Sequence, residues 1–223
     1  MHPSQDAALV PVWGRRAAIF LAVGLLAFAL HPYLAGFDAH VRYVQLIAHE
    51  FATVHLPVIR SFPVSEHLHR LGGSLLVLAG LLQFSDSLRR SQPRMHRAIG
   101  WVYVPLALLA GLSGATMAWR HPFGGVLEVI PSLVFGAALV VVTIVALMLA
   151  RRRKVQRHQE WMIRSYAIVL GPMTIRIVYV PLWMLLGVPE RHAIWISFWL
   201  GWVLNLAVAA AWIRARRRRA NRR

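Results

Sequence analysis

The chain has 223 residues, 58% of them hydrophobic, and a mean hydropathy of +0.54. Soluble domains are about 45–50% apolar, and here the excess lies in long runs, which excludes a soluble core. The absence of cysteine excludes disulfides, thiolate metal sites and covalently attached c-type haem. The net charge of +17 does not indicate nucleic-acid binding, because the arginines cluster just outside the apolar runs, as they do in membrane proteins.

The apolar runs predict an all-α integral membrane bundle of six helices, since about 20 apolar residues cross a bilayer. The spans are expected at residues 17–35, 68–87, 96–118, 126–150, 160–186 and 193–213. The other segments are a polar tail, an outer loop with an interfacial helix, and a solvated basic tail, at residues 1–16, 36–66 and 214–223.

The basic residues predict the orientation of the bundle. Most of the 25 lysines and arginines lie in the two tails and in the loops that follow the second and fourth spans. The opposite side has only Arg42, Arg60, Arg120 and Arg191, together with Arg70 at the outer end of the second span. Because positively charged loops stay in the cytoplasm, we expect both termini there, in a multi-pass protein of the plasma (inner) membrane.

The fifth span carries two arginines, Arg164 near its inner end and Arg176 deeper in the apolar run. A charge at membrane depth costs at least about 2.5–3.5 kcal/mol, so such residues usually face the bundle interior or a wet cavity. Glu128 of the fourth span is a candidate partner for Arg176. Pro172 has no backbone N–H, which predicts a kink and leaves the carbonyl of Ile168 in need of another donor.

Helical spacing predicts which faces point into the bundle. Small and polar residues three or four apart form a face that packs against other helices. Such a stripe on the second span consists of His69, Gly73, Leu76, Gly80, Gln83 and Ser87. The corresponding face of the third span consists of His96, Gly100 and Tyr103.

Four histidines lie at or next to the ends of the predicted helices. His96 and His158 begin parallel helices at the inner surface, and His69 and His121 lie at the outer surface. Two histidines at each membrane face could ligate two b-type haems, which need axial nitrogen ligands and no cysteine. The alternative is that these terminal histidines bond to neighbouring loops and bind nothing.

Four further residues fit the haem interpretation. Gly73 and Gly100 would let a flat ring approach the backbone, and Arg164 and Arg176 could pair with its propionates. We expect no metal other than the haem iron.

Two motifs resemble an uncharacterised bacterial family of predicted multi-pass membrane proteins. The HRxxGxxY motif corresponds to His96, Arg97, Gly100 and Tyr103. The HxxWMxRSYA motif corresponds to His158, Trp161, Met162, Arg164, Ser165, Tyr166 and Ala167. The resemblance covers about residues 66–180 and implies a membrane protein without an established activity.

A weaker, architectural resemblance is to the six-helix di-haem cytochromes b. These have cytoplasmic N-termini and pair histidines of helix 2 with helix 4 and of helix 3 with helix 5. The resemblance implies His69 with His121 and His96 with His158 as ligands, although His121 lies in a turn here. It is an analogy of architecture.

Three hypotheses follow. The first is a b-type haem protein that carries electrons across or within the membrane, exchanging them with quinone or another membrane redox partner. The second is a small transporter or sensor that binds an anion or a lipid through Arg164 and Arg176. The third is a non-enzymatic accessory or assembly protein. Hydrolysis and group transfer are not expected, because the sequence has no nucleophile–base pair, phosphate loop or paired carboxylates.

Overall fold

The computed structural model describes residues 12–54 and 63–221, and all regular structure in them is α-helical, as expected. In chain order the helices are α1 (Val12–Leu34), α2 (Phe37–Ile47), α3 (His49–Val54), α4 (Pro63–Gln83), α5 (Asp86–Ser91), α6 (Pro93–Arg120), α7 (Val126–Arg151), α8 (Val155–Val169), α9 (Gly171–Met184) and α10 (Glu190–Asn221). The expected basic tail therefore continues α10 as helix up to Asn221, and most of the expected N-terminal tail lies outside the described residues.

Among the described residues, four helices are each long and apolar enough to cross a membrane: α1, α6, α7 and α10. Helices α8 and α9 meet the same criterion only together, as one span bent by 42°. Helix α4 has 21 residues but does not meet it, because its first two turns carry Glu66, His69 and Arg70. The described chain thus contains four or five candidate spans.

The helices approach one another through small residues. Gly111 of α6 faces Gly136 of α7 so closely that a Cβ on Gly111 would lie 2.8 Å from the carbonyl oxygen of Gly136. A Cβ on Gly80 of α4 would lie 2.1 Å from the ring of Tyr166. Small residues at such crossings let membrane helices pack in van der Waals contact.

The predicted inward faces of α4 and α6 are buried in part. On α4, Leu76, Gly80 and Gln83 are buried, whereas Ser87 lies beyond the end of the helix and is exposed. On α6, Tyr103 is fully buried and its hydroxyl shares a 2.8 Å hydrogen bond with Ser165 of α8. Gln83 and Tyr103 therefore have hydrogen-bond partners inside the bundle, whereas the buried Nδ1 of His96 has none among the described residues.

The break between α8 and α9 occurs at Leu170, two residues before Pro172, where a kink is predicted. Helix α10 supplies donors to the carbonyls that the break exposes. The indole Nε1 of Trp202 donates to the carbonyl of Ile168 at 3.2 Å, and the Asn205 amide donates to that of Ala167 at 3.0 Å. The predicted need of Ile168 for a new donor is confirmed, and the donor is a tryptophan.

Helices α2 and α3 cover one end of the bundle, within the predicted outer loop. Val44 and Ala52 are buried there and pack in a cluster with Tyr179 of α9. The Glu190 carboxylate at the start of α10 accepts the backbone N–H groups of Glu50 at 2.8 Å and Phe51. It thereby satisfies N–H groups that the first turn of a helix leaves without partners.

Replacing Trp202 by phenylalanine removes the donor to Ile168 while keeping an aromatic ring against Phe135. Hydrogen bonds between membrane helices are worth about 0.6 kcal/mol on average and up to about 1.7. We expect the Trp202→Phe protein to unfold roughly 2–6 °C below the wild type in detergent. The control is Trp199→Phe, since Trp199 packs edge-on against Phe135; equal losses in both variants would contradict this account.

Candidate functional site

A cavity of about 380 Å³ lies inside the bundle, beneath α2 and α3. Helices α1, α4, α6, α7, α9 and α10 also contribute to its wall, which is mostly apolar. The histidine, acidic and arginine residues that line it are His40, Glu66, His69, Arg70, His121, Glu128 and Arg176. Its volume is within the range of about 300–1,000 Å³ that is typical of small-molecule sites.

Arg176 of α9 lines the cavity and forms no ion pair with a described residue. Its guanidinium carbon lies 3.9 Å from the centre of the Phe28 ring, and its Nη1 donates to the carbonyl of Pro172 at 2.7 Å. Among the described residues, no carboxylate pairs with it, and its other N–H groups have no acceptor. A cation–π contact offsets part of the cost of a desolvated charge, but it leaves those N–H groups free to bind an acceptor.

A second guanidinium, that of Arg70, lies on the same side of the cavity, 5.9 Å from the Phe28 ring. Its Nε forms an ion pair with Glu66, one turn earlier on α4. The sequence places Arg70 in an outer segment, whereas the structure places it on α4 in the cavity wall. Because Glu66 neutralises Arg70, the uncompensated positive charge belongs to Arg176.

His69 enters the cavity wall from α4, and its orientation is fixed by Ser113. The Ser113 hydroxyl donates to the carbonyl of Leu109 at 2.6 Å, so it accepts the 3.0 Å hydrogen bond from Nδ1 of His69. This assigns the proton to Nδ1 and leaves a lone pair on Nε2. One turn along α4, a Cβ on Gly73 would meet nothing within 4 Å, so the predicted open space beside Gly73 exists.

His121 and Glu128 complete the wall at the turn between α6 and α7. The Glu128 carboxylate is buried and accepts the N–H of Gly124 at 2.5 Å. It lines the same cavity as Arg176, but the two do not form the ion pair considered from the sequence. The structure therefore brings His69, His121 and Arg176 to one cavity.

The other three predicted site residues lie at the opposite end of the bundle and do not line this cavity. Nδ1 of His158 donates to the carbonyl of Ala146 at 2.8 Å. The Gln83 amide donates to the carbonyl of His96 at 2.7 Å. Arg164 donates to the carbonyl of Glu160 and lies 5.1 Å from the Trp161 ring.

The space expected beside Gly100 at that end is filled. The amide of Gln83 would lie 3.6 Å from a Cβ on Gly100, in ordinary contact. Of the two glycines expected to admit a flat ring, only Gly73, at the α2–α3 end, has open space beside it. In the described part of the chain, no three histidine or acidic side chains are grouped as a metal site would require.

His40 on α2 is the functional candidate that sequence reasoning missed. It is fully buried, its Nδ1 lies 3.3 Å from Nδ1 of His31, and its Nε2 has no partner among the described residues. The spacing of His40 and Val44, four residues apart on an amphipathic helix, was the available signal. Burial lowers the pKa of His40 to about 4, with smaller contributions from Arg70, His31 and Arg176.

The comparisons with known proteins identify a family and no relative of established function. Residues 67–213 match the family model described as "Predicted membrane protein (DUF2306)". No curated protein matches the chain. No solved structure matches it either.

The lowered pKa of His40 predicts a loss of stability in mild acid. The histidine binds a proton near pH 6.5 in the unfolded chain but only near pH 4 in the folded protein. Protons therefore favour the unfolded chain as the pH falls through this window, by about 1–2 kcal/mol at pH 5. We expect the unfolding temperature to fall less between pH 7 and pH 5 in His40→Phe than in the wild type. The exposed His192→Phe should behave like the wild type, and parallel curves for all three proteins would contradict the assignment.

Proposed function

We propose, for a chain that belongs to the DUF2306 family of membrane proteins, that its cavity binds a small amphipathic anion. The anionic group would contact Arg176, and the apolar part would lie against the cavity wall. Of the three hypotheses drawn from the sequence, this is the transporter-or-sensor hypothesis, with Arg176 alone as the anion-binding arginine. Arg164 has no place in it, since it does not line the cavity.

The proposal includes six spans with both termini in the cytoplasm of a plasma-membrane protein. Helix α4 is the sixth span, because it packs between α1 and α6 and turns Glu66, His69 and Arg70 toward the cavity. A polar turn that faces a cavity does not have to be solvated by lipid. The arginine-rich side is then cytoplasmic, and the cavity lies toward the outer surface.

The observation that carries the proposal is a buried guanidinium without a carboxylate partner. Removing a charge from water is costly unless another group compensates it. The ring of Phe28 and the carbonyl of Pro172 compensate Arg176 only in part. A carboxylate or phosphate oxygen accepts two parallel N–H bonds from a guanidinium, so a bound anion would supply what the protein itself does not.

The rest of the cavity wall favours a ligand with an apolar chain or ring. Its wall contains Leu25, Val77, Leu139, Ile175 and Phe198, among other apolar residues. Burying apolar surface contributes about 25 cal/mol per Å², so the chain or ring of the ligand adds affinity. A small hydrated anion such as chloride gains nothing from this wall.

Arg176→Leu tests the proposal in nanodiscs of neutral lipid, with decanoate, decanol and decylamine as probes of equal chain length. Decanoate alone should raise the unfolding temperature of the wild type, because it binds only the folded protein. Loss of a buried charged contact costs about 2–5 kcal/mol, so Arg176→Leu should weaken decanoate binding at least about thirtyfold.

Arg164→Leu is the matched control, since it removes another arginine of the same bent span that does not line the cavity, and it should bind decanoate like the wild type. Equal shifts with decanoate and decanol in the wild type would contradict the proposal. So would an equal loss in both arginine variants.

A second candidate function is supported by the two histidines that line the cavity. His69 has a lone pair on Nε2 and is oriented by a hydrogen bond to Ser113, as metal-ligating histidines usually are by another group. With His121 it could hold one b-type haem in the open space beside Gly73, with a propionate on Arg176. Bound haem would supply one-electron chemistry, with quinone or a membrane redox partner as the exchange partner.

A reduced-minus-oxidised spectrum of protein made with ample haem decides between these candidates. Haem binding predicts an absorption band that His69→Ala removes and that His67→Ala, two residues earlier on the exposed side, preserves. Because Gln83 fills the space beside Gly100, only one haem per chain is expected, and His96→Ala should keep the full band. Absence of the band in the wild type would exclude haem, and another amphipathic anion would then be the expected ligand of the cavity.

A further inference from the structure

The C-terminal end of α10 is longer than a membrane span requires. The helix has 32 residues, which at about 1.5 Å per residue give a length of about 48 Å. The hydrocarbon core of a bilayer is about 30 Å thick. The other end of α10 is fixed against α3, because the Glu190 carboxylate accepts two backbone N–H groups of that helix. With that end at the outer surface, as in the proposed topology, the last three turns of α10 lie at the depth of the lipid headgroups.

One face of these turns is bound to the bundle. Ala209 and Ile213 are buried and pack against Ile163 of α8. Just beyond them, Nε of Arg217 donates to the Glu160 carboxylate at 2.7 Å, and Arg216 donates to Gln159 at 3.3 Å. These contacts fix the rotation of the helix end and engage two of its arginines.

The opposite face forms a shallow groove with three arginines. Its residues are Ala211, Arg214, Ala215, Arg218 and Arg219. At 100° per residue they occupy one side of the helix, directed away from the buried Ile213. The three arginines are exposed, and none forms an ion pair with an acidic side chain of the described residues. The two alanines leave room between the guanidiniums.

We propose that this groove binds the phosphate of an anionic phospholipid. The face points to where lipid must lie, since the bundle occupies the other side of the helix. Guanidinium groups bind phosphate oxygens through paired N–H bonds, and Ala211 and Ala215 admit the glycerol part of the lipid. The site is separate from the cavity and does not depend on its ligand.

The test is native mass spectrometry of the full chain, titrated with phosphatidylglycerol and with phosphatidylcholine of the same acyl chains. Each basic residue near the surface contributes about 1 kcal/mol to the binding of anionic lipid, and tenfold in affinity is about 1.4 kcal/mol. The variant Arg214→Gln/Arg218→Gln/Arg219→Gln should therefore lose roughly a hundredfold in affinity for phosphatidylglycerol and its preference for that lipid.

The matched control is Arg151→Gln/Arg152→Gln/Arg153→Gln, which removes the same charge at the same end of the bundle. It should retain the preference. A second variant, Ala211→Leu/Ala215→Leu, fills the groove without changing any charge, and it should also lose the preference. Unchanged binding in the alanine variant, or equal losses in both arginine variants, would overturn the proposal in favour of diffuse electrostatic attraction. Displacement of the lipid by an equal concentration of inorganic phosphate would overturn the lipid assignment.

Discussion

The arrangement of this bundle depends on how it satisfies the backbone where the span made by α8 and α9 breaks. Inside a bilayer no water can bond to an exposed carbonyl, so a break persists only where neighbouring helices provide donors. Trp202 and Asn205 of α10 provide them to Ile168 and Ala167. A Cβ on Gly171 would lie 2.1 Å from Trp202, so this close contact requires a glycine. The break is therefore stabilised by two side-chain donors of α10 and by a glycine that admits Trp202.

Its consequence is the position of Arg176. The bend of 42° at the break redirects α9, which carries Arg176 one turn after Pro172. There the guanidinium lies on Phe28 and donates back to the carbonyl of Pro172 itself. Of the other charged side chains in the wall, Glu66 pairs with Arg70, and Glu128 accepts the Gly124 N–H without an ion-pair partner. Among the described residues, Arg176 is thus the guanidinium of the cavity that no carboxylate binds.

Features that follow from local chemistry could be predicted from the sequence. The helical class depends on the long apolar runs, the inward faces of α4 and α6 on periodicity, and the kink at Pro172 on one missing N–H. The structure has the helices and the kink, and it buries the two faces in part. The composition of the cavity depends on tertiary packing. The i,i+4 spacings of Glu66 with Arg70 and of His40 with Val44 are local signals for an ion pair and for a buried face. Neither spacing indicates that Arg70 and His40 line the same cavity as Arg176. Likewise, Gln83 fills the space beside Gly100 through a contact across two helices, which spacing along one helix cannot reveal.

If an anion compensates Arg176 inside the cavity, it should remain with the protein through purification. Wild type and Arg176→Leu are purified from the same membranes, and the molecules that each retains after extraction are identified by mass spectrometry. One apolar molecule with an acidic group should accompany the wild type, at about one per chain, and should be absent from Arg176→Leu. An identical set of retained molecules in both proteins would contradict it.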